Sequence, residues 1–127
     1  MPDNVTVLRP KERVRLDAEP IAAIYRDLGT TGAEQVVTRA LGEIALTMAG
    51  IAAQVRESDL SDLARQLRRL QRMADHLGMV SLAQISVDMR ACLDQGDSTA
   101  FSAVWARLMR IAERSLAIEQ GSLDRSL

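Results

Sequence analysis

The stretch Asp59–Gly78 reads DLSDLARQLRRLQRMADHLG, and its apolar spacing indicates the fold class. Apolar residues recur there at steps of three and four positions, which places them on one side of an α-helix. The acidic turn Glu57-Ser58-Asp59 precedes the stretch, and Gly78 is positioned to end it in a left-handed cap. We predict an amphipathic helix from about Leu60 to Leu77. Its apolar stripe is Leu60, Leu63, Leu67, Leu70, Ala74 and Leu77.

The same periodicity continues on both sides of this helix. Thr31–Glu34 has the Thr-x-x-Glu spacing of a capping box, and a long helix is predicted from there to about Glu57. A further helix stops at Gly96, after which Asp97-Ser98-Thr99 caps a last helix that ends before Gly121. The apolar stripes of these helices are Val37, Leu41, Ile44, Met48, Ile51 and Val55; Leu82, Ile85, Met89 and Leu93; and Val104, Leu108, Ile111 and Leu116.

The N-terminal region differs from the rest of the chain. Residues 1–16 show no helical period and carry two of the three prolines, so we expect a flexible arm. Asp17 has the character of an N-cap, with Pro20 in the first turn of a short extra helix that ends before Gly29. Residues 17–120 then form one domain, and residues 121–127 are expected to fray. Short connections between amphipathic helices favour an all-α, antiparallel up-down four-helix bundle, with this short N-terminal helix in addition.

Composition argues against several classes of protein. Of the 127 residues 47% are apolar, and the aromatics are only Tyr25, Phe101 and Trp105, so we expect an aliphatic helical core. Sixteen basic and seventeen acidic residues nearly cancel, so we expect neither nucleic acid nor a membrane as partner. Nucleic acid on a local arginine face stays open and would depend steeply on salt. No signal-peptide pattern occurs and no uninterrupted apolar run reaches membrane-spanning length, which predicts a cytoplasmic protein.

Residues with catalytic or ligating chemistry are few. One histidine, His76, and one cysteine, Cys92, cannot by themselves build a zinc site or an internal disulfide. The sequence has no Glu-x-x-His pair of a di-iron bundle, no glycine-rich phosphate loop and no nucleophile elbow. Cys92 lies in an apolar helical pattern and is expected to be a buried structural thiol. We therefore predict no metal, no cofactor and no catalytic constellation.

The helix predicted within Asp59–Gly78 carries a basic face. At 100° per residue its basic side chains lie opposite the leucine stripe or on its flank. Only two acidic residues lie among them, so the face is locally positive although the chain is nearly neutral. Such a row is either a solvated helix face or a docking surface for an acidic partner. The basic side chains are Arg65, Arg68, Arg69, Arg72 and His76.

The same stretch resembles the central helix of histidine-containing phosphotransfer (HPt) domains. In that family an acidic turn leads into a helix with the motif His-x-x-Lys-Gly, and a Leu-Gly pair follows. The resemblance covers roughly residues 18–116 and implies a four-helix bundle that acts in a phosphorelay of two-component signal transduction. The matching framework is Asp59-Leu60, Leu70, Ala74 and Leu77-Gly78, followed by Ser81-Leu82 and Gly96-Asp97 at the ends of the next helix.

Three motif positions of that family carry other residues here. Aligned through Asp59 and Gly78, the position of the phosphorylatable histidine is filled by Arg68, that of the lysine by Gln71 and that of the glycine by Arg72. A permanently protonated guanidinium has no lone pair with which to attack an aspartyl phosphate, so Arg68 cannot take the histidine's role. The resemblance therefore implies a degenerate HPt domain, a pseudo-phosphotransferase rather than an active enzyme.

Three functions follow from these observations. We favour a non-catalytic HPt-like signalling module that binds a response-regulator receiver domain or a sensor kinase without accepting phosphate. An active histidine phosphotransfer protein could instead use His76, although a helix C-terminus favours imidazolium, the wrong state for a nucleophile. The third possibility is a structural dimerisation bundle resembling the helical hairpin of sensor kinases, and the oligomeric state is left open. The expected partner-binding residues are Arg65, Arg68, Arg69, Gln71, Arg72 and His76.

Overall fold

The computed structural model describes residues 13–125, which form four α-helices and, within that range, no strand. The helices are α1 (Glu19–Arg56), α2 (Leu63–His76), α3 (Val80–Gln95) and α4 (Ser98–Arg125). Packing contacts join α1 to α2, α2 to α3, α3 to α4 and α4 back to α1, as in a four-helix bundle. The prediction of an all-α, four-helix architecture is therefore confirmed.

The core is built from the predicted apolar stripes. The stripe residues that are buried are Val37, Leu41, Ile44, Met48 and Ile51 on α1; Leu63, Leu67, Leu70 and Ala74 on α2, with Leu77 after it; Leu82, Ile85 and Met89 on α3; and Leu108 and Ile111 on α4. Four stripe residues near helix ends or flanks are only half-buried: Val55, Leu93, Val104 and Leu116. The aliphatic residues thus hold the four helices together, as the periodicity indicated.

The predicted start of the second amphipathic helix, at about Leu60, is wrong. The helix begins at Leu63, and Leu60 is 42% exposed in the turn before it. The carboxylate of Asp59 accepts hydrogen bonds from the backbone N–H and the hydroxyl of Ser61, at 3.3 and 2.7 Å. This local bonding competes with helical pairing, so the chain stays in a turn for three more residues.

Gly29 bends α1 at the position where the short N-terminal helix was predicted to end. Its backbone angles, φ 73° and ψ 173°, lie in a region that is essentially restricted to glycine. Helical structure lies directly on either side of Gly29, so the range Glu19–Arg56 consists of two helical segments that meet at a sharp kink without a loop between them. The N-cap residue is Ala18, without a side-chain cap hydrogen bond, so the prediction of Asp17 as N-cap is wrong by one residue. The carboxylate of Asp17 nevertheless accepts a hydrogen bond from the backbone N–H of Glu19 at 3.0 Å.

Residues 13–17, the N-terminal strap, lie against the turn between α2 and α3. The backbone N–H of Arg15 donates to the hydroxyl of Ser81 at 2.7 Å, and the N–H of Ser81 donates back to the Arg15 carbonyl at 3.2 Å. The strap side chains Val14 and Leu16 pack on the core. The expectation of a flexible arm over residues 1–16 is therefore wrong for residues 13–16, and residues 1–12 lie outside the described range.

The last helix is longer than predicted. α4 passes through Gly121 and continues to Arg125, so the predicted end before Gly121 is wrong, and residues 121–125, which are expected to fray, are helical. Leu123 is the physical reason, because its side chain is buried in the core and fixes this last turn. Residues 126–127 lie outside the described range.

One helix of the described chain, α1, is long and apolar enough on average to cross a membrane by length and composition alone. Core helices of soluble proteins meet the same criterion. Of the 18-residue apolar window in α1, however, only 33% is buried inside the bundle. This helix therefore presents apolar surface that the other three helices do not cover.

Candidate functional site

The position of α2 in the bundle determines which of its side chains reach solvent. Leu63, Leu67 and Leu70 are fully buried and fix one side of the helix against the core. The opposite side must then face outward, because side chains on a helix are separated by 100° per residue. Of the six predicted partner-binding residues, Gln71 is half-buried and the others are exposed: Arg65, Arg68, Arg69, Arg72 and His76.

Arg65 differs from the other arginines of this face because it is neutralised locally. Its Nε and Nη2 donate to the two carboxylate oxygens of Asp62 at 2.7 and 2.8 Å, and Gln66 Nε2 donates to Oδ2 at 3.2 Å. The hydrogen bond from Arg65 is the largest cause of a pKa of Asp62 below its ordinary value. The same pair raises the pKa of Arg65. Arg65 therefore stabilises the first turn of α2 and offers little charge to a partner.

Gln71 connects α2 to α3 instead of facing a partner freely. Its side-chain oxygen accepts a hydrogen bond from Arg90 Nη2 at 2.9 Å. The Nε of Arg90 is buried and has no hydrogen-bond partner in residues 13–125. A second guanidinium therefore lies beside the position that the HPt resemblance assigns to lysine. Sequence reasoning missed Arg90, since nothing in the α3 pattern distinguishes it from any polar position on that helix.

The remaining side chains form the basic face proper, which we define as Arg68, Arg69, Arg72 and His76. All four are exposed. None of them has a side-chain hydrogen bond or ion pair to another residue of the range 13–125. Residues four apart on a helix are neighbours, with Cβ atoms about 5–6 Å apart. Arg68, Arg72 and His76 therefore follow one another along one row, beside the exposed Asp75 but without an ion pair to it.

Arg69 points to a different flank of α2, toward α1. It lines a groove of about 320 Å³ together with Gln66 of α2 and residues of α1. Within this groove the side-chain oxygen of Gln54 is buried without a hydrogen-bond partner. Arg68 lies 100° further round the helix, on the side where Gln71 contacts α3. The α1 residues of the groove are Glu43, Leu46, Thr47, Gly50 and Gln54.

The chemistry available at this face is electrostatic. Residues 13–125 contain no group of three or more His, Cys, Asp or Glu side chains that could hold a metal ion. His76 is the last residue of α2 and is exposed. Cys92 on α3 is half-buried, so the expectation of a buried thiol is wrong; its place in the last turn of α3 accounts for the difference. What the arrangement offers a partner is the positive charge of Arg68, Arg69 and Arg72 on one exposed helix face.

The turn after α2 gives two framework residues of the HPt resemblance a structural role. Gly78 has φ 72°, in the left-handed region, as predicted for a helix cap. Gly96 ends α3 with φ 69°, again as predicted.

No family model, curated protein or solved structure matches this chain. The resemblance to HPt domains consequently rests on the quoted motif residues, and it enters below as a proposal.

Proposed function

We propose that this chain is a non-catalytic HPt-like signalling module that binds a response-regulator receiver domain without accepting phosphate. The observation that carries the proposal is the pair Arg68 and Arg72. Both side chains are exposed, one helical turn apart, and unpaired within residues 13–125. In the family that the chain resembles, this part of the helix docks a receiver, whose active site is acidic. Opposite charges on the two surfaces steer encounter and fix the register of binding.

The absence of an acceptor follows from the chemistry of the three substituted positions. Arg68 stands where the resemblance places the phosphorylatable histidine, and its guanidinium has no lone pair to offer. Gln71 stands at the lysine position and is engaged by Arg90. Arg72 adds a long charged side chain where the family has glycine. A fixed cation at Arg68 can instead contact the receiver's aspartate pocket directly.

We take the four helices as an antiparallel up-down bundle of HPt type, with the part of α1 before Gly29 as its extra N-terminal helix. Support comes from the connections, which span only residues 57–62, 77–79 and 96–97. Connections this short join antiparallel neighbours in helical bundles. The proposed partners act in the cytoplasm, which is where we place the chain.

A binding experiment with purified receiver domains tests the proposal. Titration calorimetry of the full chain against a panel of receivers is expected to find one that binds with 1:1 stoichiometry. Arg68→Glu and Arg72→Glu each weaken that binding at least about tenfold, equivalent to about 1.4 kcal/mol. Arg114→Glu is the matched control, because Arg114 is exposed on α4, away from α2. If every receiver fails to bind, or if Arg114→Glu weakens binding as much, receiver docking is wrong.

A phosphate-transfer experiment separates this function from its alternatives. The chain is incubated with a receiver carrying radiolabelled aspartyl phosphate, and no label is expected on the chain. Label that appears at His76 and disappears in His76→Gln would show an active phosphotransfer protein. Sensor-kinase catalytic domains in the same binding panel test the second class of partner. Binding to a kinase with no receiver bound would replace the receiver as the partner of the basic face.

A further inference from the structure

The second half of α1 has an apolar face that no other helix covers. Leu46 is 75% exposed, the highest value among the large apolar residues that are exposed in residues 13–125. Around it Gly42, Ala45, Ala49 and Gly50 are also exposed. A Cβ atom built on Gly42 or Gly50 would meet no atom within 4 Å. A partner helix could therefore approach the backbone of α1 closely at both glycines.

The groove beside this apolar face is lined by side chains of opposite charge. Glu43 lies three residues before Leu46, and Arg69 of α2 lines the same groove as Gly50, four residues after Leu46. Glu43 and Gly50 are two turns apart, about 10 Å along the helix axis. Neither Glu43 nor Arg69 has an ion pair with any other residue in the range 13–125. In the antiparallel arrangement proposed above, Arg69, six residues after the start of α2, lies level with Gly50, six residues before the end of α1. The groove then presents Glu43, Leu46 and Arg69 in that order along α1.

This order of groups makes the groove complementary to the same groove on a second copy of the chain. When two α1 helices pack antiparallel about a two-fold axis at Leu46, residues equally far before and after Leu46 face each other. Gly42 of one copy then lies level with Gly50 of the other. Glu43 of one copy lies level with Ala49 of the other copy, and therefore beside the Arg69 of that other copy. The symmetry repeats each contact, so two Glu43–Arg69 pairs flank one Leu46–Leu46 contact.

We propose that this chain forms a two-fold homodimer through α1, with Leu46 at the axis and Glu43 of each copy paired with Arg69 of the other. An isologous interface of this kind covers the apolar surface of α1 and pairs two otherwise unpaired charges. The interface uses Arg69 on the α1 flank and leaves Arg68 and Arg72 open. Dimerisation is therefore independent of receiver docking, and either can fail while the other holds.

Sedimentation equilibrium of the full chain, over about 1 to 100 µM, tests the dimer. The chain is expected to sediment as a dimer, and Leu46→Lys is expected to raise the dimer Kd at least about tenfold, or about 1.4 kcal/mol. Leu60→Lys is the control, because Leu60 is also exposed but lies outside the groove. A chain that remains monomeric at the highest concentration overturns the proposal. A dimer indifferent to Leu46→Lys does so as well.

Charge exchange tests the pairing itself. Glu43→Arg and Arg69→Glu each place like charges together and are expected to weaken the dimer at least about tenfold. The double variant Glu43→Arg/Arg69→Glu restores the opposite pair and is expected to return the Kd to within about threefold of the original. Losses that simply add in the double variant would show that the two residues do not meet across the interface.

Cross-linking tests the position of the axis. In a Cys92→Ser background, Leu46→Cys places two thiols next to each other, since a residue on a two-fold axis meets its own copy. Mild oxidation is expected to give a covalent dimer. Ala106→Cys, at an exposed position of α4, is the control and should remain monomeric on a denaturing gel. Equal cross-linking at the two positions would contradict an axis at Leu46.

Discussion

At Gly78 two distant parts of the chain come into close contact. The backbone N–H of Asp17 donates to the Gly78 carbonyl at 2.7 Å. A Cβ atom on Gly78 would lie 2.0 Å from the carbonyl oxygen of Asp17, which no side chain can tolerate. The left-handed φ of Gly78 could be predicted from its place after α2. The approach of the strap could not, because it depends on a contact between residues far apart in sequence.

Replacement of Gly78 by alanine should therefore cost far more stability than a helix-cap glycine normally does. Gly78→Ala is expected to lower the free energy of unfolding by at least about 3 kcal/mol, from backbone strain and the collision with the strap. Gly96→Ala is the control: Gly96 has a similar φ of 69°, but a Cβ there meets nothing within 4 Å. Its loss should be about 1 kcal/mol. Urea denaturation of both variants measures the difference, and equal losses would mean that the strap does not restrict Gly78.

Asp62 and Glu119 should give the chain opposite responses to pH. Hydrogen bonding, first from Arg65, lowers the pKa of Asp62. Its contribution to stability is complete above the ordinary aspartate pKa, about 3.9, and is lost as pH falls through the lowered value. Burial raises the pKa of Glu119. Its contribution is complete below the ordinary glutamate pKa, about 4.3, and is lost as pH rises through the raised value.

Urea denaturation across a pH series, with carboxyl NMR titrations, checks both signs. Asp62→Asn should remove the loss of stability on acidification that is due to this residue. Glu119→Gln should stabilise the chain at neutral pH, because the half-buried group no longer carries a charge, and should have little effect in acid. An Asp62 carboxyl that titrates above its ordinary value would contradict the hydrogen bonds from Arg65 and Gln66.

At the scale of the helices, periodicity predicted the buried side of each element better than its ends. Leu67 and Leu70 are buried because the 3.6-residue repeat places them on the apolar side of α2. The residues at which a helix begins and ends depend on contacts that the apolar periodicity does not predict. Asp59 delays the start of α2 by bonding Ser61. Leu123 carries α4 beyond Gly121, where a glycine rule predicted a stop. Local side-chain bonding therefore sets the start of α2, whereas tertiary packing overrides local propensity at the end of α4.

The extension of α4 can be tested by truncating the side chain that holds it. Leu123 is 8% exposed, so Leu123→Ala is expected to lower the free energy of unfolding by about 2–3 kcal/mol. Leu28→Ala serves as control, because Leu28 is 53% exposed, and its effect should stay within about 0.5 kcal/mol. Amide hydrogen exchange should show protection through residues 121–125. A frayed end would exchange freely and tolerate Leu123→Ala.

For the whole molecule, the sequence predicted the basic face but not how its members are used. A helical wheel places Arg65 and Arg69 on one row, yet Arg65 is bound by Asp62 while Arg69 faces a groove with α1. Gln71 was expected on the docking surface and instead accepts a bond from Arg90. The contacts of Arg69 and Gln71 involve neighbouring helices, which the pattern of a single helix cannot include, whereas the Arg65–Asp62 pair lies within one turn of the same segment. The exposed face of α1 was missed for the same reason.

Homodimerisation should make the stability of the whole chain depend on its concentration. A partner that binds only the folded state stabilises it by RT ln(1 + [L]/Kd), so a dimer unfolds later when more protein is present. The thermal midpoint of the natural chain is therefore expected to rise by several degrees between about 1 and 100 µM. Leu46→Lys should remove this dependence. At the lowest concentration its midpoint should match the natural chain, because Leu46 contributes little to the core of a single copy. A Leu46→Lys midpoint that is low at every concentration would show that Leu46 supports the monomer, and would remove the reason for placing the two-fold axis there.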